Sequence, residues 1–431
     1  MKLLVFAHTP PPHHGQSYMV QLMLDGFGGD QRQRKAGGQP RTATAAGYGI
    51  ECYHVNARLS RRLEEIGVFR PAKLLLLLGY CLQAIWVRFR YGVTNLYFVP
   101  APGKYSALYR DWLVMLLCRP FFKKIILHWH AAGLAKWLET AVQMRTRALT
   151  YRLMKQADLS IILSQFTRAD PEKLFSKSVR VVNNGIPDPC PDFDRDVLPR
   201  RQARLAARSK LLTRHTLTAA DLETTGGDPQ VFKVLYLAHC TREKGLFDAV
   251  QAVLLANRKL AERRSPTSMQ LLVAGGFFAE SERAEFDQIC ATPEAKDAIR
   301  YLGFIAGERK LGTFREADAF CFPTYYRNES QPVSLIEAMA FGLPVVTTAW
   351  RSIPELLPPD HPGLVAVRSP SQIADTLLRM MTSNIGQSLR GIFLQKFTVE
   401  SYLRGLAEAF HSAEAEGQPD TSSRVMPALS H

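Results

Sequence analysis

Short apolar runs alternating with stretches of helical spacing constrain this chain more than any other feature. The runs fall at residues 2–7, 50–56, 95–99, 124–130, 159–163 and 179–182, then at 231–237, 269–275, 299–304, 319–322, 344–348 and 363–367. A βαβ series of this kind builds parallel sheets covered by helices on both faces. The series breaks once, in a polar stretch rich in Pro, Arg and Thr between Asp188 and Gln230, after which a fresh strand begins. A chain of 431 residues exceeds what one hydrophobic core sustains, so the break divides two lobes. The expected organisation is a first lobe at 1–190, a linker or insertion at 191–229 and a second lobe at 230–397. A C-terminal helix at 398–416 should pack back towards the first lobe, ahead of a disordered tail at 417–431. Residues 26–49 read as a long mobile loop.

Composition narrows the class. With 46% hydrophobic and 22% charged residues, the chain is neither disordered nor fibrous. The net charge of +15 is uneven: residues 1–200 hold 28 basic and 14 acidic side chains, the remainder 26 and 25. The first lobe should therefore be drawn to an anionic partner. Nucleic acid is disfavoured, because zinc-finger spacing, RNP-type aromatic motifs and long basic helices are missing from the sequence. An anionic membrane fits the charge. Seven scattered cysteines without C-x-x-C suit a reducing, cytoplasmic setting. The opening MKLLVFAHTPPP reads as a buried strand rather than an export signal. The apolar run at 74–87 has 14 residues, too short to span a bilayer. It reads either as a buried helix or as an interfacial helix with basic edges.

The strongest local signal is FCFPTYYRNESQPVSLIEAMAFGLPVVTT, residues 320–348. Pro332 suits a first helical turn, Ser330 is placed to cap it, and Gly342 and Pro344 stop it. Glu329 then lies in the loop before the helix and Glu337 inside it, about 7.5 Å further along the axis. A helix N-terminus suits a diphosphate, and carboxylates accept hydrogen bonds from sugar and ribose hydroxyls. The pattern matches a sugar nucleotide.

This segment resembles the E-x7-E region of family 4 glycosyltransferases, retaining enzymes of GT-B fold. Other stretches agree in order: HTPPPHHGQS, ILHWHAAG, SIILSQFT, VRVVNNGIPD, VLYLAHCTREKG, MQLLVAGG, IRYLGFI, ADAFCFPT and TTAWRSIPEL. The resemblance implies an α/β chain with two Rossmann-like domains facing across a cleft. It implies that Glu329 holds donor-sugar hydroxyls, Glu337 the ribose, and the backbone of Pro332, Val333, Ser334 and Leu335 the pyrophosphate. Lys244 matches the lysine that reaches the diphosphate. Where the family often has Arg, this chain has His239, with Arg242 as a rival contact. His130 falls near the reacting sugar, Gly15 where the backbone passes the donor phosphate, and Phe304 where the nucleobase packs. His130, Lys244 and Glu329 are the catalytic candidates.

His128 and His130 point to one face of a strand and could suggest a metal, but the family generally acts without one, so no metal and no cofactor are expected. The implied partners are a UDP- or GDP-sugar and a lipid-linked or glycan acceptor, with peripheral contact at the inner face of the plasma membrane. The implied setting is bacterial envelope or exopolysaccharide synthesis. Competing readings are a sugar-nucleotide epimerase of related fold and a catalytically weak glycan- or membrane-binding protein. A nicotinamide dehydrogenase is disfavoured, since G-x-G-x-x-G does not follow the first run.

Overall fold

The computed structural model describes residues 1–11, 15–35, 47–59, 71–100 and 102–415. The first lobe starts with β1 (Lys2–Phe6), α1 (Gly15–Gly26), α2 (Gln31–Lys35), β2 (Glu51–Val55), α3 (Pro71–Tyr91) and β3 (Asn95–Phe98). It continues through α4 (Tyr105–Cys118), β4 (Lys124–Trp129), α5 (Leu134–Ala141), α6 (Met144–Met154), β5 (Leu159–Ile162), α7 (Ala169–Lys173) and β6 (Val179–Val181). The second lobe holds α8 (Leu198–Leu212), α9 (Ala219–Thr225), β7 (Val231–Leu237), α10 (Leu246–Glu262), β8 (Ser268–Ala274), α11 (Glu280–Cys290) and β9 (Ile299–Gly303). After these come α12 (Gly307–Glu316), β10 (Ala319–Phe322), α13 (Val333–Ala340), β11 (Val345–Thr348), β12 (Leu364–Val365), α14 (Pro370–Met380) and α15 (Gly386–Lys396). A last helix, α16 (Val399–Ala415), returns to the first lobe.

Each apolar run of the sequence becomes a strand to within a residue or two. Central strands such as β3, β5, β10 and β11 are buried along their whole length, as expected when helices cover both faces. Among the described residues the first sheet runs β2-β1-β3-β4-β5-β6 and the second β12-β11-β10-β7-β8-β9, with every pairing parallel. Strand order therefore reverses between β1 and β3 in one sheet and between β7 and β10 in the other. Ligands of open parallel sheets sit at such switch points, beyond the C-terminal strand ends.

In the first lobe α3, α4, α5 and α6 pack on one face of the sheet, around Leu77, Leu108, Leu138 and Met154. Helices α1 and α16 cover the other face, through Met19, Val20, Leu406 and Phe410. The chain crosses between lobes twice, and the crossings pair: Ile186 N–H donates to Phe397 O and Val399 N–H to Ile186 O, both at 2.9 Å.

Three expectations are corrected. Residues 191–229 are not an irregular linker: α8 and α9 belong to the second lobe, with Phe193 in its core. Arg204 and Arg208 of α8 are both buried against Asp318, at 2.9 and 3.0 Å, and Arg208 lies over the Phe232 ring. Long arginine stems cover apolar surface once one carboxylate serves both heads. The stretch 26–49 is not loop throughout, since α2 lies within it; 36–46 fall outside the described residues, as does the expected tail. The apolar run at 74–87 belongs to a longer helix of 21 residues, and the window Ala72–Tyr91 is long and apolar enough to cross a membrane. Only 22% of that window is buried, against the buried-helix reading.

Candidate functional site

The charged part of the site is assembled where β7 and β10 end, side by side at the second lobe's switch point. After β7 the chain passes His239 and Lys244 and enters α10 through Gly245, whose φ is 81°. A Cβ at Gly245 would overlap the Pro323 carbonyl, so glycine lets this turn close onto the loop after β10. Tyr325 N–H donates to Glu243 O at 2.8 Å and Thr324 Oγ1 to the same carbonyl at 3.2 Å. The turn carrying Lys244 is thereby tied to the loop carrying Glu329.

Lys244 Nζ lies 2.8 Å from Glu329 Oε2, which also accepts from Thr324 Oγ1 at 3.0 Å. The ammonium sits 4.6 Å from the Tyr326 ring centre. The pair is largely buried, with side chains 17% and 8% exposed. The His239 ring lies 4.6 Å from that of Phe278, tilted 58° to it. Burial and then the Lys244 charge push its pKa down to about 4, against a smaller opposing pull from Glu329. His239 is therefore neutral near pH 7 until an anion arrives; a diphosphate beside it would favour the charged form.

Helix α13 starts at Val333 behind Pro332, with no side-chain cap. Ser330 does not cap it, contrary to the sequence expectation: its hydroxyl is buried and makes no hydrogen bond, and its carbonyl accepts from Ser352 Oγ at 2.6 Å. The amides of Val333 and Ser334 are left for an anion, whereas Leu335 N–H donates to Pro332 O at 3.1 Å. The Leu335 side chain lies in the core. Glu337 is buried inside α13, and its carboxyl is pushed up by burial, opposed by Lys310, whose Nζ lies 2.5 Å away.

The first lobe meets α13 closely. A Cβ on Gly15, at the start of α1, would stand 3.6 Å from Val333 Cγ2, so two helix N-termini converge across the cleft. Gln331 fastens the lobes beside them: its Nε2 donates to Leu163 O at 2.5 Å and to Asn183 Oδ1 at 2.7 Å, and its Oε1 accepts from Asn184 N–H at 2.8 Å. Glu355 accepts the amides of Gln165 and Phe166 at 2.7 and 2.8 Å. Arg351 reaches over from the second lobe, where a Cβ on Gly133 would lie 3.3 Å from its Nη1. Burial lowers its pKa and Asp170 raises it; Arg327 and Glu329 also act on it. Asp170 itself accepts the amides of Gly133 and Ala135 at 2.8 and 2.7 Å, fixing the start of α5.

The structure brings Lys244, His239, Glu329, the start of α13 and Gly15 to one cleft. His130 follows β4 three residues before Gly133, with its ring 4.1 Å from that of His128. His128 is fully buried, its Nδ1 2.6 Å from the Tyr97 hydroxyl. Among the described residues, groups of three His, Cys, Asp or Glu side chains placed to hold a metal ion do not occur. Two candidates stand apart. Arg242 turns outward onto Glu285 and over the Phe247 ring, and Phe304 is 72% exposed just past β9. Lys310, Gln331, Arg351 and Asp170 were missed, since nothing local in sequence links any of them to its partner.

Residues 222–391 match the family model described as "Glycosyl transferases group 1". The match lies within the second lobe, which is similar to that family over these residues. The match begins inside α9, which again places that helix with the second lobe. The amylovoran biosynthesis glycosyltransferase AmsK of Erwinia amylovora is 30% identical over 156 residues, 35% of this chain and 36% of that protein. WcaL of Escherichia coli K12, a putative colanic acid biosynthesis glycosyltransferase, is 29% identical over 135 residues, 30% of this chain and 31% of its own. These matches span about a third of each relative's length. Among solved structures, Anabaena HepE in complex with UDP and glucose superposes with a TM-score of 0.59 at 15% identity, covering 95% of this chain and 99% of that one. Sucrose-phosphate synthase of Thermosynechococcus elongatus gives 0.62 at 17% identity, over 96% of this chain and 100% of that one. At such identities the likeness establishes the fold, which is GT-B.

Proposed function

We propose that the protein transfers a sugar from a nucleotide-diphosphate sugar to an acceptor hydroxyl, with retention of anomeric configuration, in polysaccharide or lipid-linked glycan assembly. The observation that carries this reading is the Lys244–Glu329 pair beside the uncapped start of α13, facing Gly15 across the cleft. In the donor complex Lys244 exchanges its carboxylate for the diphosphate, a charge-assisted contact worth about 1.5–3 kcal/mol. Glu329, released, accepts hydrogen bonds from donor-sugar hydroxyls, and Glu337 takes the ribose. The bond from the anomeric carbon to the phosphate oxygen breaks, and the acceptor oxygen bonds to the same face of that carbon. The acceptor's proton passes to an oxygen of the departing diphosphate. Charge that grows on the leaving group is met by Lys244, by the α13 amides and by His239, which gains a proton more readily beside an anion. His130 faces the anomeric centre from the first lobe.

UDP- or GDP-sugars are the proposed donors, without a metal ion. HepE's complexes with UDP and glucose support the donor class, and the amylovoran and colanic acid relatives support the polysaccharide setting. Free cysteines, all but Cys290 buried, support a reducing, cytoplasmic location. The test is thermal denaturation with UDP-, GDP- and ADP-sugars, followed by product analysis with and without acceptor. A donor at a hundred times its dissociation constant should stabilise the wild type by about 2.7 kcal/mol, and Lys244→Ala should lose that gain. If every donor leaves wild type and variant alike, the reading fails; sugar isomerised without acceptor would make the protein an epimerase.

A further inference from the structure

Sugar-nucleotide binding leaves one large surface of the first lobe without a role. Along α3, Leu77, Cys81, Ala84 and Val87 are spaced by three and four residues and are buried in the lobe's core. At about 100° per residue, Leu75, Leu82, Trp86 and Phe89 fall on the opposite side of the helix. These four are 71, 67, 54 and 66% exposed. A surface helix of a soluble protein ordinarily turns a polar face outward. This one is apolar on both.

The surface extends past one helix. Helix α4 packs beside α3, and α6 beside α4, all on the same face of the sheet. Tyr109 and Leu116 of α4, Phe121 just after it and Met144 of α6 are exposed as well. The Phe89 and Phe121 rings meet edge to face at 5.9 Å, joining the ends of α3 and α4. Of the twenty large apolar side chains exposed among the described residues, twelve lie on these three helices and the turn at Phe121, so the clustering is not ordinary scatter.

Charge selects the occupant. Residues 71–155 contain thirteen Lys and Arg but only two acidic side chains. Asp111 is buried against Arg110, and Glu139 is paired with Lys173. Arg90 and Lys123 are exposed near the aromatic end of the patch, where Arg88 stands 5.6 Å from the Phe89 ring centre. An apolar, aromatic centre with cationic edges is the signature of an interfacial helix on anionic lipid. Crossing the bilayer is a poorer account despite the length of α3, because its inner stripe is packed into the core and withdrawal would open the lobe.

We propose that the α3–α4–α6 face docks the protein on an anionic phospholipid bilayer, with α3 lying in the membrane plane and Trp86 and Phe89 at the headgroup boundary. Tyr80 Oη donates to Arg58 O just past β2 and Lys2 Nζ to Tyr91 O at the start of β1, so α3 runs antiparallel to the strands and its first turns lie at the cleft end of the lobe. A membrane-borne acceptor would then reach the cleft along Leu75 and its neighbours. Docking stands apart from the sugar-transfer reading, since it is measured without donor.

Co-sedimentation of the full chain with vesicles of phosphatidylglycerol and phosphatidylcholine, and with phosphatidylcholine alone, tests it. Binding to the anionic vesicles should weaken about tenfold between about 50 and about 300 mM NaCl. The pair Trp86→Gln with Phe89→Gln should weaken it by a similar factor at low salt, with an unchanged thermal midpoint. Arg90→Gln with Lys123→Gln should flatten the salt dependence. Equal binding to neutral and anionic vesicles, or binding indifferent to Trp86 and Phe89, overturns the proposal. So does failure to bind vesicles, including the case in which sedimentation velocity shows a dimer that the Trp86 and Phe89 pair dissociates; the face would then join two copies of the chain.

Discussion

The first sheet places its switch between β1 and β3, the second between β7 and β10, and both turn their strand ends to the same cleft. At the second lobe's switch stand a buried ion pair, a histidine with a depressed pKa and an uncapped helix N-terminus. At the first lobe's switch, beyond β1, the start of α1 approaches by its backbone, at Gly15. Net charge runs the other way: the basic surplus lies in the first 200 residues and the second half is nearly balanced. Charge that grips a small diphosphate has to be few groups, placed and partly desolvated. Charge that attracts an extended anionic surface works by number and stays exposed. Equivalent sheets thus carry two kinds of electrostatics.

The sharpest way to break this contrast is to neutralise each kind in turn. Lys244→Ala should lower turnover at least about tenfold, in line with the loss of one charge-assisted contact, while Arg90→Gln with Lys123→Gln leaves turnover on a soluble acceptor unchanged. Steady-state kinetics decides; equal losses would erase the distinction between the lobes. Next in size is Glu329→Ala, which strands the Lys244 cation in a largely buried site and should cost about 3 kcal/mol in urea unfolding without donor. Glu329→Gln should cost less, because its amide oxygen still faces Lys244 and Thr324.

His239 sharpens the comparison through pH. Its pKa is lowered on folding from about 6.5 to about 4, so below pH 6.5 the unfolded chain takes a proton that the folded one refuses. Stability attributable to this group is constant above about pH 7 and declines as pH falls towards 4, by up to about 3 kcal/mol at about 1.4 per pH unit. Unfolding of His239→Gln should show a correspondingly shallower decline; identical pH profiles would mean that Lys244 and burial do not act on this ring. The smallest expected effect is that of EDTA, which should leave transfer intact. Loss of activity restored by zinc would give His130 the leading role and shift the chemistry to the first lobe.

Much of this was legible residue by residue. The strands follow from apolar runs of strand length, and α13 from Pro332 and Gly342 at its two ends. Glu329 and Lys244 are conspicuous because each sits in a compact motif beside a strand end. Other elements were misread for identifiable reasons. The stretch at 191–229 is polar in composition, and only Asp318, more than a hundred positions along the chain from either arginine, makes it compatible with burial. The apolar run at 74–87 ends before its helix does, because Arg88, Arg90 and Tyr91 continue the helix without adding to the run.

The amino-acid order by itself determined the two parallel sheets, the position of the break between lobes and the residues flanking the start of α13, because strand length, helix spacing and turn chemistry are set by near neighbours. Tertiary structure alone decided that Lys244 pairs with Glu329, that Lys310 faces Glu337 and that Gln331 and Arg351 reach the first lobe. It also decided which stripe of α3 faces outward. Those outcomes depend on groups brought together from distant strand ends, and on which of the two apolar faces of α3 the core happens to claim.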